Sequence, residues 1–131
     1  TAAEACLNEN GVIIMCAECS SGHGGYGFYS SLRNCTSPAE LYARQLATPW
    51  DRTEPDQWES QILCRILSKY RTIFVTQPGL RSMVEDMKMT YAADIPSALA
   101  LARSWGKQSL TVIPDGVSIS IVNSRDRQQS R

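Results

Sequence analysis

The chain has 131 residues, with 13 Lys+Arg, 13 Asp+Glu and one His, so its formal net charge is zero; 43% of its residues are hydrophobic and 20% charged. That is the material of one globular domain. It is too apolar and too neutral for a disordered tail, lacks the net positive charge of a nucleic-acid binder, and has no apolar run near the roughly 20 residues of a membrane span.

No charged-then-apolar leader precedes a small-residue cleavage site, so no secretory address is expected. The five cysteines are an odd number, which argues against a closed disulfide framework. Cys6, Cys16 and Cys64 fall inside apolar segments, as reduced thiols of a cytoplasmic protein would.

In chain order, Thr1 to Glu9 reads as a helix stopped by Asn10-Gly11. It has no visible cap and begins at Thr rather than Met, so the chain is expected to start partway through a longer helix. Val12 to Ala17 is a continuous apolar run, the pattern of a strand buried on both faces. The glycine-rich stretch from Glu18 to Gly27 follows, then a short helix over Phe28 to Arg33. Ser37-Pro38-Ala39-Glu40 has the form of a helix start, with a cap, a first-turn proline and an acidic residue at the capping-box offset.

Thr53 to Asp56 opens the strongest helix, in which Trp58, Ile62, Leu63, Ile66, Leu67 and Tyr70 form one apolar stripe. Thr72 to Thr76 reads as a second buried strand, Leu80 to Met87 as a short helix and Met89 to Ala92 as a short strand. Asp94 is placed to cap a helix from Ile95 to Trp105, with Leu99, Ala102 and Trp105 inward and Gly106 as its stop. Leu110 to Ile113 reads as a further strand, Pro114-Asp115-Gly116 as a turn, and Val117, Ile119 and Ile121 as alternate positions of a last strand. Arg125 to Arg131 is polar.

This order implies an α/β fold: a three-layer, open, mainly parallel sheet with helices on both faces, Rossmann-like and truncated at its N-terminus. Ligands of such folds bind beyond the carboxyl ends of the strands. Those ends are expected at the Glu18–Gly27 loop, the Gln77–Leu80 loop and the Pro114–Gly116 turn.

Four constellations carry possible chemistry. Gly22, Gly24 and Gly27 spell G-x-G-x-x-G between a strand and a helix, the arrangement in which backbone amides cradle a pyrophosphate. Four residues separate the strand from the first glycine, however, and no acidic residue closes a second strand about 20 positions on. A free-standing nucleotide- or anion-binding module is therefore the alternative reading, and a loop needing positive φ angles the plain one. Cys16, Cys19, His23 and Cys35 could form a metal knuckle or a redox pair, but Cys16 belongs to a buried strand and no second Cys-x-x-Cys exists. His23, the only imidazole, suits a general base if exposed. Trp58 either belongs to the helix core or, as the stripe's N-terminal member, walls off a planar ligand.

Taken together, GVIIMCAECSSGHGGYGF, PDQWESQILCRILSKYRTIFVT, VEDMKMTYA and ALALARSWGKQSLTVIPDGVSISIV resemble the C-terminal domain of the nickel-dependent lactate racemase family, over nearly the whole chain. The resemblance implies residues 1–123 as that domain and 124–131 as a polar tail. It implies a two-domain parent, a 2-hydroxyacid racemase or epimerase that transfers hydride with a nickel pincer nucleotide while a histidine takes the hydroxyl proton. The catalytic histidines and the nickel-bearing groups would lie in the parent's own N-terminal domain, and a substrate-contacting Gln-x-x-Lys block just upstream of Thr1. This chain alone is then expected to hold no cofactor, no metal and no catalytic residue, and to show no turnover. Its partners are its N-terminal domain and a small 2-hydroxyacid, with no nucleic acid or membrane. By its motif, Trp58 is carried over as a wall of the substrate and cofactor cleft, with Gly22, His23 and Gly24 flanking it.

Overall fold

The computed structural model describes residues 2–119 and 121. In order it contains α1 (Ala2–Ala5), β1 (Val12–Cys16), α2 (Tyr26–Asn34), α3 (Pro38–Leu46), α4 (Gln57–Leu67), β2 (Arg71–Val75), α5 (Arg81–Asp86), β3 (Thr90–Ala92) and α6 (Ile95–Ser104). Short 3-10 turns at Trp50–Arg52 and Pro78–Leu80 link them.

The three strands form one parallel sheet in the order β1-β2-β3. Side chains alternate across a strand, and β2 sends Ile73 to one face and Phe74 to the other. Phe74 packs with Leu32, Cys35, Leu41, Cys64 and Val84 from α2 to α5 and the segments that join them. Ile73 packs with Ala92 and with Ala98 and Ala102 of α6. The three-layer α/β architecture is therefore as the sequence implies.

The helix starts follow local chemistry. The Ser37 hydroxyl accepts from the Glu40 N–H at 3.2 Å, and Asp94 accepts from the Ser97 N–H at 2.7 Å, each from an extended cap residue before a helix that opens with proline in its first turn. Two long-range contacts tie outer elements to the core. Arg65 donates to Glu4 at 2.8 Å, fixing α1 against α4. Arg71 lies 3.9 Å over the Trp105 ring, closing the end of α6 on the start of β2.

Four expectations change. β1 is an edge strand, and Met15 and Cys16 are exposed rather than buried on both faces. A continuous apolar run is common to central and edge strands, so it could not tell them apart. In α6 the buried positions are Ala98 and Ala102, with Leu101 packed beside them in place of Leu99. Leu110 to Ile113 forms no strand, and Pro114 to Ser118 is a turn, in which Asp115 accepts from the Val117 and Ser118 N–H groups at 3.3 and 3.1 Å.

Of the expected last strand, residues 117–119 and 121 are described and form none; Leu110 and Val117 are 62% and 96% exposed. A strand needs a neighbour's backbone to bond to, and the sheet ends at β3. The Pro114–Gly116 turn is therefore not at a strand end of this sheet. The polar tail at 125–131 lies outside the described residues. Among the described residues, no helix is long and apolar enough to cross a membrane.

Ile73 is fully buried, so Ile73→Ala should lower the unfolding free energy by about 2–5 kcal/mol. Val117→Ala should change it by less than about 0.5 kcal/mol; urea denaturation compares the two. Hydrogen bonding from Ser97, its side chain first and its backbone second, holds the Asp94 carboxyl below its ordinary value. A lowered folded pKa means that this contribution is complete above the unfolded pKa near 4 and is lost as pH falls through the folded value. Asp94→Asn should therefore flatten the stability-against-pH curve in that acidic window, read from thermal midpoints between about pH 2 and pH 6.

Candidate functional site

The site is built where the loop after β1 meets the start of α4. The backbone of this loop turns sharply. Cys19, Gly22 and Gly24 have φ of 55°, 74° and 82°, a region that costs glycine least. The loop is held at several points. The Thr76 hydroxyl at the end of β2 donates to the Glu18 carbonyl at 3.1 Å, joining two strand ends.

His23 is half-buried and stacks flat on Tyr29, with ring centroids 4.6 Å apart and planes 4° from parallel. Its Nδ1 is buried without a hydrogen-bond partner among the described residues. The Tyr29 hydroxyl donates to Asp86, which raises the tyrosine pKa above its ordinary value, with burial and the Asp86 charge adding to the effect. Arg33 Nε lies 3.6 Å from the same carboxylate. His23 is thus an anchor for the loop rather than the exposed, mobile imidazole expected of a base.

At its far end the loop touches α4. A Cβ on Gly25 would lie 2.9 Å from Asp56 Oδ2, and one on Gly27 would lie 3.5 Å from the Pro55 carbonyl. Gly25 is also the N-cap of α2. The Asp56 carboxylate therefore stands beside the helix end that a pyrophosphate would need, and a bound anion would meet like charge there. The glycine pattern serves turn geometry and close packing instead.

The first turn of α4 is pinned to α3. Gln45 Nε2 donates to Ser60 Oγ at 2.6 Å, Ser60 Oγ to the Gln57 carbonyl at 2.9 Å, and Gln57 Nε2 to the Gln45 carbonyl at 3.3 Å. Ser60 and Cys64 are fully buried. Since a helix turns 100° per residue, Trp58 lies about 200° from Ser60 and faces outward. It is 63% exposed, and Ile62 is 37% exposed. The apolar stripe therefore holds only in part: Ile66 is buried and Leu63 and Leu67 pack against the core, but Ser60 and Cys64 take the other buried positions, and Trp58 is not a core residue.

Tyr26, at the start of α2, is also exposed. A separate polar cleft of about 310 Å³ lies between α3 and the loop before α4, lined by Arg44, Gln45, Thr48, Arg52, Glu54 and Gln57 among others; it does not include Trp58.

The sequence-named cysteines do not gather. Of the knuckle set, Cys35 lies in the core with Cys19 partly buried against it, Cys16 is exposed on the edge strand, and His23 is engaged with Tyr29; Cys64 is a core residue as well. Among the described residues, no three His, Cys, Asp or Glu side chains converge on a metal position. Burial, with the neighbouring Cys35 second, pushes the Cys64 thiol up to about 11. Burial raises Cys35 as well. Both are packing groups, so alkylation at pH 8 should label Cys16 first and reach Cys35 and Cys64 only on unfolding, as followed by peptide mass mapping. Early labelling of Cys64 would contradict this.

Sequence reasoning singled out Trp58 and the glycines but gave Tyr29, Asp86 and Gln45 no role. Tyr29 and Asp86 are 57 residues apart, and nothing local in the sequence signals their contact.

Comparison with known proteins shows what the chain as a whole is similar to. The lactate racemase from Thermoanaerobacterium thermosaccharolyticum is 44% identical over 123 residues, covering 92% of this chain and 29% of that protein. The lactate racemase from Lactiplantibacillus plantarum is 40% identical over 123 residues, with the same coverage. The solved apoprotein structure of the Thermoanaerobacterium enzyme superposes with a TM-score of 0.89 at 43% identity, covering 93% of this chain and 30% of that one. The chain thus spans less than a third of the length of these relatives. The lactate racemase C-terminal domain family matches residues 1–122, and the chain belongs to that family.

Proposed function

We propose that this chain is the cleft-closing part of a 2-hydroxyacid racemase or epimerase, with residues 1–123 as its C-terminal domain and 124–131 as a tail. The observation that carries the reading is Trp58: a large indole held outward by a pinned helix start whose cap residue, Asp56, meets the anchored glycine loop, in a chain of this family. Hydride chemistry needs a dry site, because water diverts protons and reactive intermediates. An exposed aromatic wall excludes water only when another surface closes over it. In this reading that surface is the parent's N-terminal domain, and a small 2-hydroxyacid lies between the two.

The parent's cofactor in this reading is a nickel pincer nucleotide, which when bound supplies the group that accepts and returns hydride. The described residues bring together no donor set for its metal. What this chain offers that fits the group is the flat face of Trp58, against which a planar ring would pack. Gly22, His23 and Gly24 act one step removed, shaping the loop that borders the cleft. Proton transfer belongs to groups outside this chain, since His23 is engaged with Tyr29. The chain alone should therefore be inactive. The buried thiols of Cys35 and Cys64 suit a reducing cytoplasm.

The test uses the full-length, cofactor-loaded protein. Trp58→Ala should lower racemisation of the substrate 2-hydroxyacid by about tenfold or more, while the thermal midpoint stays within a few degrees, because Trp58 is mostly exposed. Unchanged turnover in chiral chromatography of the product would remove Trp58 from the cleft.

A further inference from the structure

α4 starts differently from the two proline-led helices, α3 and α6. Ser37 and Asp94 cap from extended backbone, at φ −149° and −155°, and each side chain accepts a backbone N–H. Asp56 has φ 63° and ψ 2°, and its side chain caps nothing. Its carbonyl accepts from the Glu59 and Ser60 N–H groups at 3.1 and 3.4 Å, so the backbone alone begins the helix. The left-handed region is uncommon for residues other than glycine, and such residues cluster at functional sites.

The carboxylate that capping leaves free is turned to the glycine loop. Its Oδ2 is 2.9 Å, and its Cγ 3.6 Å, from the place a Gly25 Cβ would occupy; Gly27 has the same Oδ2 3.8 Å away. A Cβ on Gly25 would force the Asp56 carboxylate to turn away, so the seat that the side chain now takes exists because residue 25 is glycine. Trp58 follows two residues later.

We propose that Asp56 is a positioning residue: the Gln45–Ser60–Gln57 network turns Trp58 outward, and the left-handed backbone of Asp56 with its carboxylate in the space Gly25 leaves sets where that helix start stands against the glycine loop. This deepens, and rests on, the reading of Trp58 as the cleft wall. An ordinary capping aspartate at this position would start the helix equally well but would leave the glycine loop unlocked. The pairing makes the loop and the indole move as one unit.

The test uses the full-length protein labelled with 5-fluorotryptophan, the Trp58 resonance being the one lost in Trp58→Phe. Asp56→Gly relieves the left-handed backbone and removes the carboxylate. It should leave the thermal midpoint unchanged or raised, yet shift or broaden the Trp58 resonance and lower kcat about tenfold with a smaller change in KM. Asp56→Asn, which keeps the shape and tolerates the backbone, should restore the resonance and most of the rate.

Gly25→Ala should mimic Asp56→Gly, and the double variant should be no worse than Asp56→Gly, since the added Cβ then has room. A Trp58 resonance unmoved by Asp56→Gly, or losses that simply add in the double variant, would overturn the proposal. The resonance is read without turnover. A full-length protein that racemised no 2-hydroxyacid would therefore sink the functional reading while the resonance still decided the role of Asp56.

Discussion

The rest of the fold hangs on β2. It is the central strand of three, and its pleat sends Ile73 into the α6 layer and Phe74 into the layer formed by α2 to α5. Because side chains alternate with period two, a slip of one residue would exchange the two layers. The sheet also sets where the loops emerge. In a parallel sheet all carboxyl ends lie together, so the loop after β1 and the segment after β2 start side by side, and the Thr76 hydroxyl bonds across them to the Glu18 carbonyl. The candidate site is thus placed by strand direction before any functional side chain contributes.

Local chemistry then refines that placement. The glycine loop spells a pattern often associated with dinucleotides, yet the physical demands that its glycines meet are positive φ at Gly22 and Gly24 and close approach at Gly25. The carboxylate of Asp56 disfavours an anion where a pyrophosphate would sit. A polar network through Gln45, Ser60 and Gln57 holds the start of α4, with Ser60 fully buried. Burying polar groups is costly unless they are bonded to one another. The reward is orientation: with Ser60 turned in, Trp58 has to point out. The membership of the chain in the lactate racemase C-terminal domain family gives this outward tryptophan a context, because the chain spans less than a third of its relatives.

Much of the architecture was legible in the residues, for reasons that are local. Ser37-Pro38 and Asp94 announce helix starts because capping is decided within four residues. The runs around Ile13 and Ile73 announce strands because β-branched apolar residues suit a pleated, buried surface. The segments Leu110–Ile113 and Val117–Ile121 carried the same local pattern and misled, because the pattern records a need for burial without naming a neighbour. The stripe on α4 misled similarly: Trp58 and Ile62 are apolar, but α3 bonds to Ser60, and that choice of face belongs to the pair of helices.

By itself, then, the sequence determined the class of fold, the positions of most elements and the family blocks. Those depend on short-range backbone preferences, on apolar periodicity and on the order of motifs. Only the tertiary structure decided that β1 lies at the sheet edge with Cys16 exposed, that His23 is spent on Tyr29, that Cys35 is a core group, and that Asp56 meets Gly25. Apart from the His23–Tyr29 stack, which joins two neighbouring turns of the chain, each depends on contacts between residues far apart in the sequence. Their energy depends on which surfaces the folded backbone brings together, and no single stretch of residues contains that information.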